Sequence, residues 1–249
     1  MTIFILGGIV VVVALVLLFF LSDIFDFTAQ RFVDTQAYLD SEIVSVSHHV
    51  SQCLTDVSQK ALVLFGKQGG DFTPDYVVSY YGEPRTFLCL AVSDSDACIY
   101  RGVTRSVAEK QLEEYITSHI LSCIQEYSFD SDFYTVSRGE LSVAVTVYDT
   151  TVHILGTYPV TFTKDTFVAS SSLYPIVVPV PLGGLLDQVQ TILSYEIVGE
   201  DIHPVAFSRA YFGMYEISIA KPYPHTVYTL NTFGSDYIFT FAVEGYDAL

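Results

Sequence analysis

The stretch that decides the organisation of this chain is Ile3-Phe4-Ile5-Leu6-Gly7-Gly8-Ile9-Val10-Val11-Val12-Val13-Ala14-Leu15-Val16-Leu17-Leu18-Phe19-Phe20-Leu21. It carries no charge, and a helix needs only about 20 apolar residues to cross the hydrocarbon core of a bilayer. The stretch lacks the basic n-region and small-residue cleavage site of a secretory signal peptide. We therefore expect it to be retained as an apolar helix.

The flanks of this apolar stretch are unusual for a membrane anchor. No Lys or Arg occurs before Arg31, whereas single-pass anchors normally carry a basic cytoplasmic flank. Asp23 and Asp26 follow the stretch on its other side. We expect the rest of the chain to lie outside the cell and a basic leader to have preceded Met1.

An amphipathic pattern continues directly from the apolar stretch. Apolar residues recur mostly at steps of three and four, which is the period of one helical face. No Pro occurs before Pro74, and Gly66 with Gly69-Gly70 could supply a helix C-cap. We expect an N-terminal helix over residues 1–66, apolar over 3–21 and amphipathic over 22–66. The stripe consists of Phe32, Leu39, Ile43, Val46, Val50, Cys53, Val57, Ala61 and Leu64.

We expect residues 67–249 to form an extracellular α+β domain. Ser106 and Glu109 form a capping-box pattern at the start of a helix that ends near Tyr127. Apolar and polar residues alternate over Leu141–Tyr148, as in a half-buried strand. The predicted fold class is α+β, a long N-terminal hydrophobic and amphipathic helix followed by an antiparallel sheet with short helices. Other expected elements are a helix at 182–197, strands at 87–92, 97–101, 152–157, 160–163, 215–219, 226–230 and 237–243, and an extended connector or edge strand at 170–181.

The charge balance restricts the class of partner. The chain has 28 acidic and 11 basic residues, a formal net charge of −17. Such a balance argues against binding nucleic acid or anionic lipid. Neutral, cationic or identical partners remain.

The four cysteines are Cys53, Cys89, Cys98 and Cys123, and four cysteines allow three pairings. None has a Cys-x-x-Cys spacing. Cys89 and Cys98 flank a Ser-Asp-rich turn and would face each other across a hairpin, which leaves Cys53 and Cys123 to join two helices. Two buried free thiols are the alternative for the second pair.

The sequence predicts no catalytic, cofactor or metal site. It has no zinc-protease helix motif, phosphate-binding glycine loop or nucleophile elbow. His48 and His49 diverge by about 100° on a helix, so they need outside ligands to share a metal, and we interpret them as solvated. His119 has no assigned role beside Glu113 or Glu126. The pairs Asp94-Ser95-Asp96 and Asp130-Ser131-Asp132 are interpreted as turns rather than Ca²⁺ sites.

The opening Met1-Thr2-Ile3-Phe4-Ile5-Leu6-Gly7-Gly8-Ile9-Val10 resembles the mature start of archaeal class III signal-peptide proteins, the type IV pilin-like family. Further similarity to uncharacterised surface proteins of small-genome archaea extends over most of the chain. It is carried by Cys53, the segment 66–70, the run 178–183 and the segment 239–243.

This resemblance implies a helical filament in which the apolar part of the N-terminal helix packs against identical copies. The resemblance also implies that the chain would insert in the membrane before assembly and that the acidic domain would then face outward. Ile5 stands where bacterial pilins often have a glutamate, so apolar packing would set the register. The implied polymerisation helix contains Ile3, Phe4, Ile5, Gly7, Gly8, Val12, Leu15 and Phe19.

The first functional hypothesis is therefore a structural, non-enzymatic subunit of an archaeal extracellular filament, with a role in adhesion or cell contact. The alternative is a single-pass, membrane-anchored extracellular protein that binds a ligand or acts as an enzyme. That alternative predicts a flexible stalk after the apolar stretch, and no Gly/Ser/Pro-rich linker follows Leu21. A host-cell or surface ligand is left unassigned.

Overall fold

The computed structural model describes residues 2–91, 98–127, 133–200, 202–211 and 213–245, with side chains from residue 35 onward. The chain divides into two compact units according to its internal contacts. Unit 1 comprises residues 1–47, 129–139 and 159–172, and unit 2 comprises residues 48–128, 140–158 and 173–249. The elements are α1 (Thr2–Gln68), β1 (Val77–Tyr80), β2 (Glu83–Ala91), β3 (Cys98–Tyr100), α2 (Arg105–Gln125), β4 (Thr135–Arg138), β5 (Ser142–Val147), β6 (Val152–Lys164), β7 (Phe167–Val178), α3 (Leu182–Ile197), α4 (Pro204–Ala210), β8 (Tyr215–Ala220), β9 (Thr226–Thr232) and β10 (Ile238–Val243).

Helix α1 buries one stripe of apolar side chains in the part where its side chains are described. Leu39 and Val46 are fully buried within unit 1. Within unit 2, the buried positions of the stripe are Val50, Cys53 and Ala61. These are positions that the three-and-four period of the sequence predicts. The stripe is one-sided, because charged residues such as Asp40 and Lys60 on the same helix are exposed.

The end of α1 depends on glycine in two different ways. Gly69 and Gly70 have φ values of +81° and +88°, and the Gly70 N–H donates to the Phe65 carbonyl at 2.8 Å. This left-handed geometry closes the helix as the sequence predicts. Gly66 lies inside the helix, so the prediction that it ends the helix is wrong. A Cβ at Gly66 would lie 2.4 Å from the Ile238 carbonyl oxygen, and close packing on β10 therefore requires glycine.

Unit 2 contains a six-stranded sheet with the order β1-β2-β10-β9-β8, in which β3 also pairs with β2. Strand β10 is antiparallel to β9 but parallel to β2, with Ala242 opposite Phe87. Phe87, Val227 and Ala242 form a buried cluster. The rings of Phe65 and Phe239 lie 6.3 Å apart, which places the end of α1 against β10.

Helix α2 packs on β5 and accepts hydrogen bonds from two backbone N–H groups of that strand. Strand β5 pairs with β6 antiparallel, with Val145 opposite Ile154. The N–H groups of Val145 and Val147 donate to the carboxylates of Glu113 and Glu109, each at 2.9 Å. Two acids one helical turn apart thus replace a neighbouring strand, which satisfies backbone groups that would otherwise be unpaired.

The start of α2 differs from the capping box predicted at Ser106 and Glu109. Thr104 is the N-cap, and its hydroxyl accepts the Val107 N–H at 3.3 Å. The prediction fails because the first turn begins two residues earlier and Glu109 faces β5 instead of the cap.

Unit 1 contains a small aromatic cluster beside residues 38–42 of α1. Strand β4 pairs antiparallel with the second half of β6. The Tyr38 ring meets the Phe133 ring edge-on at 5.1 Å, and the Tyr134 and Phe162 rings lie 4.8 Å apart. The Tyr134 hydroxyl donates to Glu42 at 3.2 Å, which joins this cluster to α1.

The predicted fold class needs correction. The larger sheet is mixed rather than antiparallel, because β10 enters beside β2 from a remote part of the chain and no hairpin fixes its direction. Helix α2 has 21 residues and α3 has 16, so they are not short. Over the residues whose side chains are described, no helix is long and apolar enough to cross a membrane, since α1 is apolar there on one stripe only.

Candidate functional site

The residues assigned to a polymerisation helix lie outside the described side chains. These residues are Ile3, Phe4, Ile5, Gly7, Gly8, Val12, Leu15 and Phe19. The backbone over this stretch belongs to α1, which begins at Thr2. Asp94-Ser95-Asp96 and Asp130-Ser131-Asp132, weighed as Ca²⁺ sites, also lie outside the described residues.

All four cysteines are paired. Cys53 of α1 is bonded to Cys123 of α2, with a Cα–Cα distance of 5.8 Å. Cys89 of β2 is bonded to Cys98 of β3, with a Cα–Cα distance of 5.3 Å. Disulfides form and persist in oxidising compartments, and these two indicate an extracellular or other oxidising environment.

His49 lies against the disulfide that joins α1 and α2. Its Nε2 atom is 3.5 Å from Cys53 Sγ and 3.2 Å from the Cys123 carbonyl oxygen. The Tyr127 ring lies 5.2 Å from the imidazole. His48 is exposed, as interpreted from the sequence, but His49 is half-buried and not simply solvated. The spacing of four between His49 and Cys53 is the sequence signal that indicates their contact.

A charged cluster forms around Arg105, the first residue of α2. Its Nη2 atom lies 2.5 Å from Asp149 of the β5–β6 turn and 2.5 Å from Asp187 of α3. These two hydrogen bonds raise the pKa of Arg105, and the bond to Asp187 has the larger effect. Burial, followed by the charges of Asp149 and Asp187, raises the pKa of the nearby Tyr215. One guanidinium thus joins three elements of unit 2.

The N-terminus of α3 is closed by backbone groups in the same region. The N–H groups of Gly183 and Gly184 donate to the carbonyls of Tyr148 and Asp149, each at 3.2 Å. A Cβ at Gly183 would lie 2.5 Å from the Tyr148 oxygen. The first turn of α3 is therefore bonded to protein and does not present free N–H groups to an anion.

Two surface grooves flank α4. A groove of about 630 Å³ between α4 and β8 is lined by residues that include Ser208, Arg209 and Glu216. A second, of about 400 Å³, lies between α3 and α4 and includes Tyr195 and His203. The Ser208 hydroxyl donates to the Tyr215 carbonyl at 3.0 Å. We assign no reaction to either groove.

His119, for which the sequence assigns no role, stacks on Tyr115 with ring centroids 4.0 Å apart. Its Nδ1 atom lies 2.8 Å from the Tyr115 carbonyl oxygen and 2.9 Å from the Ser118 hydroxyl. Glu113 accepts the Val145 N–H on the β5 side of the helix. These partners hold the imidazole on its own helix.

Comparison of the chain with protein families, with curated proteins and with solved structures finds no match.

Proposed function

We propose that the chain is a pilin-like structural subunit of an archaeal extracellular filament, which assembles with identical copies through residues 3–21 and carries the acidic residues 67–249 outward. Its role would be in adhesion or cell contact. The observation that supports this proposal best is the continuity of α1, which runs from Thr2 to Gln68 without a break. A tethered receptor would instead be expected to have a flexible linker at this point.

Burial along the second part of α1 adds to this support. Val50, Leu54, Leu62 and Phe65 are each at most 1% exposed within unit 2. The helix is therefore part of the core of this unit and not a detachable stalk. A helix that packs into the domain in this way suits a subunit that is held in an assembly by that helix.

Charge determines which forces can assemble such a filament. A formal charge of −17 on each chain makes neighbouring copies repel, so apolar contacts must supply the attraction. A head-to-tail contact that does not close generates a helical filament. Repulsion between exposed charges is screened by salt, so the filament is expected to be more stable at high ionic strength.

The test is to produce the full chain on the surface of an archaeal host and to image filaments by negative-stain electron microscopy. Leu15→Asp should abolish filaments, because a charge in the proposed contact is costly to bury. The control is Val168→Asp, which places the same charge on a side chain that is 53% exposed. Immunoblots of cell and membrane fractions separate failed assembly from failed production.

The result that would overturn the proposal is filament formation by Leu15→Asp at the level of Val168→Asp. A wild-type chain that remains monomeric in the membrane fraction would also overturn it. That second result would favour the alternative function, a membrane-anchored extracellular binding protein or enzyme.

A further inference from the structure

We propose that reduction of the Cys53–Cys123 disulfide creates a binding site for a thiophilic divalent cation, of which Zn²⁺ fits best, with His49 as the third ligand. One donor atom from each of the three residues lies within 4.8 Å of the others. Two ligands of one Zn²⁺ ion are at most about 4.6 Å apart, since Zn–S bonds are about 2.3 Å long. Small side-chain rotations therefore bring all three donors onto one ion.

The secondary structure places these donors favourably. His49 and Cys53 are four residues apart on α1, so their side chains lie on the same helical face. The same spacing joins the two histidine ligands in helical zinc motifs. Cys123 comes from α2, so the ion would join the two helices where the disulfide now does. Three protein ligands leave a fourth position for water, which is the arrangement of an open zinc site.

The donor types select the metal. Thiolate and imidazole bind Zn²⁺ well, whereas Ca²⁺ and Mg²⁺ prefer oxygen. The ring nitrogen that faces Cys53 Sγ is Nε2, which must offer its lone pair to a metal. Nε2 also lies 3.2 Å from the Cys123 carbonyl oxygen, which only accepts, so this contact is a hydrogen bond only while Nε2 carries the ring proton. Ligation therefore requires the proton to move to Nδ1 and this hydrogen bond to be lost.

The metal site forms only after the Cys53–Cys123 disulfide is reduced, and a dithiol can supply the two electrons. One thiolate of the dithiol attacks Cys123 Sγ, which is half-buried, and Cys53 leaves as a thiolate beside His49. The second thiolate of the dithiol then displaces Cys123 and forms a cyclic disulfide. Zn²⁺ binding to the two freed sulfurs releases any protons that they have taken up. The disulfide and the metal-bound form exclude each other.

The experiment uses the full chain in mild detergent, in a Cys89→Ala/Cys98→Ala background that leaves one cysteine pair. The protein is reduced, freed of reductant without air and titrated with Co²⁺, whose thiolate complexes are coloured. We expect one Co²⁺ per chain, displacement by Zn²⁺ and no binding before reduction. Near-ultraviolet circular dichroism reports whether each variant keeps its tertiary packing.

The matched pair of variants is His49→Ala and His48→Ala, neighbours of which only His49 faces the sulfurs. His49→Ala should weaken Co²⁺ binding by at least about tenfold, the lower end of the loss seen when only a group behind a ligand is removed. His48→Ala should bind like the parent, and Cys53→Ser should lose the thiolate absorption band. Equal affinities for the two histidine variants would overturn the proposal. The proposal would also be overturned if the reduced Cys89→Ala/Cys98→Ala protein showed no Co²⁺–thiolate absorption band, whether or not its tertiary packing is kept.

Discussion

Replacing Glu113 with Ala tests whether α2 stabilises the edge of β5 through its carboxylates. Glu113 accepts the Val145 N–H at 2.9 Å, and Val145 is only 5% exposed. Removal of the acceptor leaves a buried donor unpaired, which costs about 1–3 kcal/mol. Glu113→Gln keeps an acceptor oxygen without its charge and should cost less. In a domain of about 200 residues, 2 kcal/mol corresponds to a fall in Tm of about 4–8 °C.

The control is Glu114→Ala, which removes the neighbouring acid on the same helix. Glu114 is exposed and lies 3.9 Å from Lys110, and such a surface pair contributes about 0–0.5 kcal/mol. Urea unfolding of the oxidised full chain in mild detergent gives the two free energies of unfolding. Amide hydrogen exchange at Val145 should quicken in Glu113→Ala only. Equal losses of stability in the two alanine variants, with unchanged exchange at Val145, would refute the reasoning.

Three further predictions concern packing, charge and cross-links. Gly66→Ala should lower the free energy of unfolding, measured in urea titrations, by about 2 kcal/mol. The added Cβ clashes with the Ile238 carbonyl, and this cost outweighs the gain in helix propensity of about 1 kcal/mol. Unchanged stability would contradict the close approach of Gly66 to Ile238. The hydrogen bond from Arg85 and, next in size, the charge of Arg85 lower the pKa of Glu83. The pair therefore stabilises the fold at pH values above the ordinary carboxyl pKa of 4.5, and this stabilisation is lost as the pH falls through the lowered pKa of Glu83. The difference in urea midpoint between wild type and Glu83→Gln should shrink as the pH falls below 4.5, and a difference independent of pH would exclude this linkage. Replacing both cysteines of one disulfide with Ser should lower the free energy of unfolding, measured by chemical unfolding, by an amount that depends on the loop length. We expect a loss of about 4 kcal/mol for Cys53–Cys123, which closes 70 residues, and about 2.5 kcal/mol for Cys89–Cys98, which closes 9. A larger loss for Cys89–Cys98 would show that chain entropy does not dominate.

Local periodicity predicted much of the regular structure. Helix α3 spans the residues at which the sequence predicts a helix, and the stripe from Leu39 to Ala61 on α1 is buried for the most part. Two expected strands, 152–157 and 160–163, merge into the single strand β6, because Tyr158 and Pro159 between them continue the extended backbone. Short elements escaped prediction. Helix α4 has seven residues and β4 has four, which is too few for an apolar period to be recognised.

Contacts between distant segments account for the rest. Nothing local to β10 indicates that it runs parallel to β2, since that pairing joins residues about 150 positions apart. The use of Glu109 and Glu113 by β5 is likewise not indicated by the helical pattern, in which Glu109 instead suggests a capping box with Ser106. His49 is an intermediate case. Its spacing from Cys53 is local, but its position beside the disulfide depends on Cys123 from another helix.

The insertion of β10 between β2 and β9 has a consequence for how the protein is made. Strand β10 follows β2 by about 150 residues, so β2 cannot gain this neighbour until all of the intervening chain has been synthesised. Such remote pairing slows folding, which exposes the unpaired strand edges for longer. A chain that stops before Ile238 would expose the edges of two apolar strands. Exposed strand edges pair with other chains, so an incomplete chain of this kind would be prone to aggregation and proteolysis.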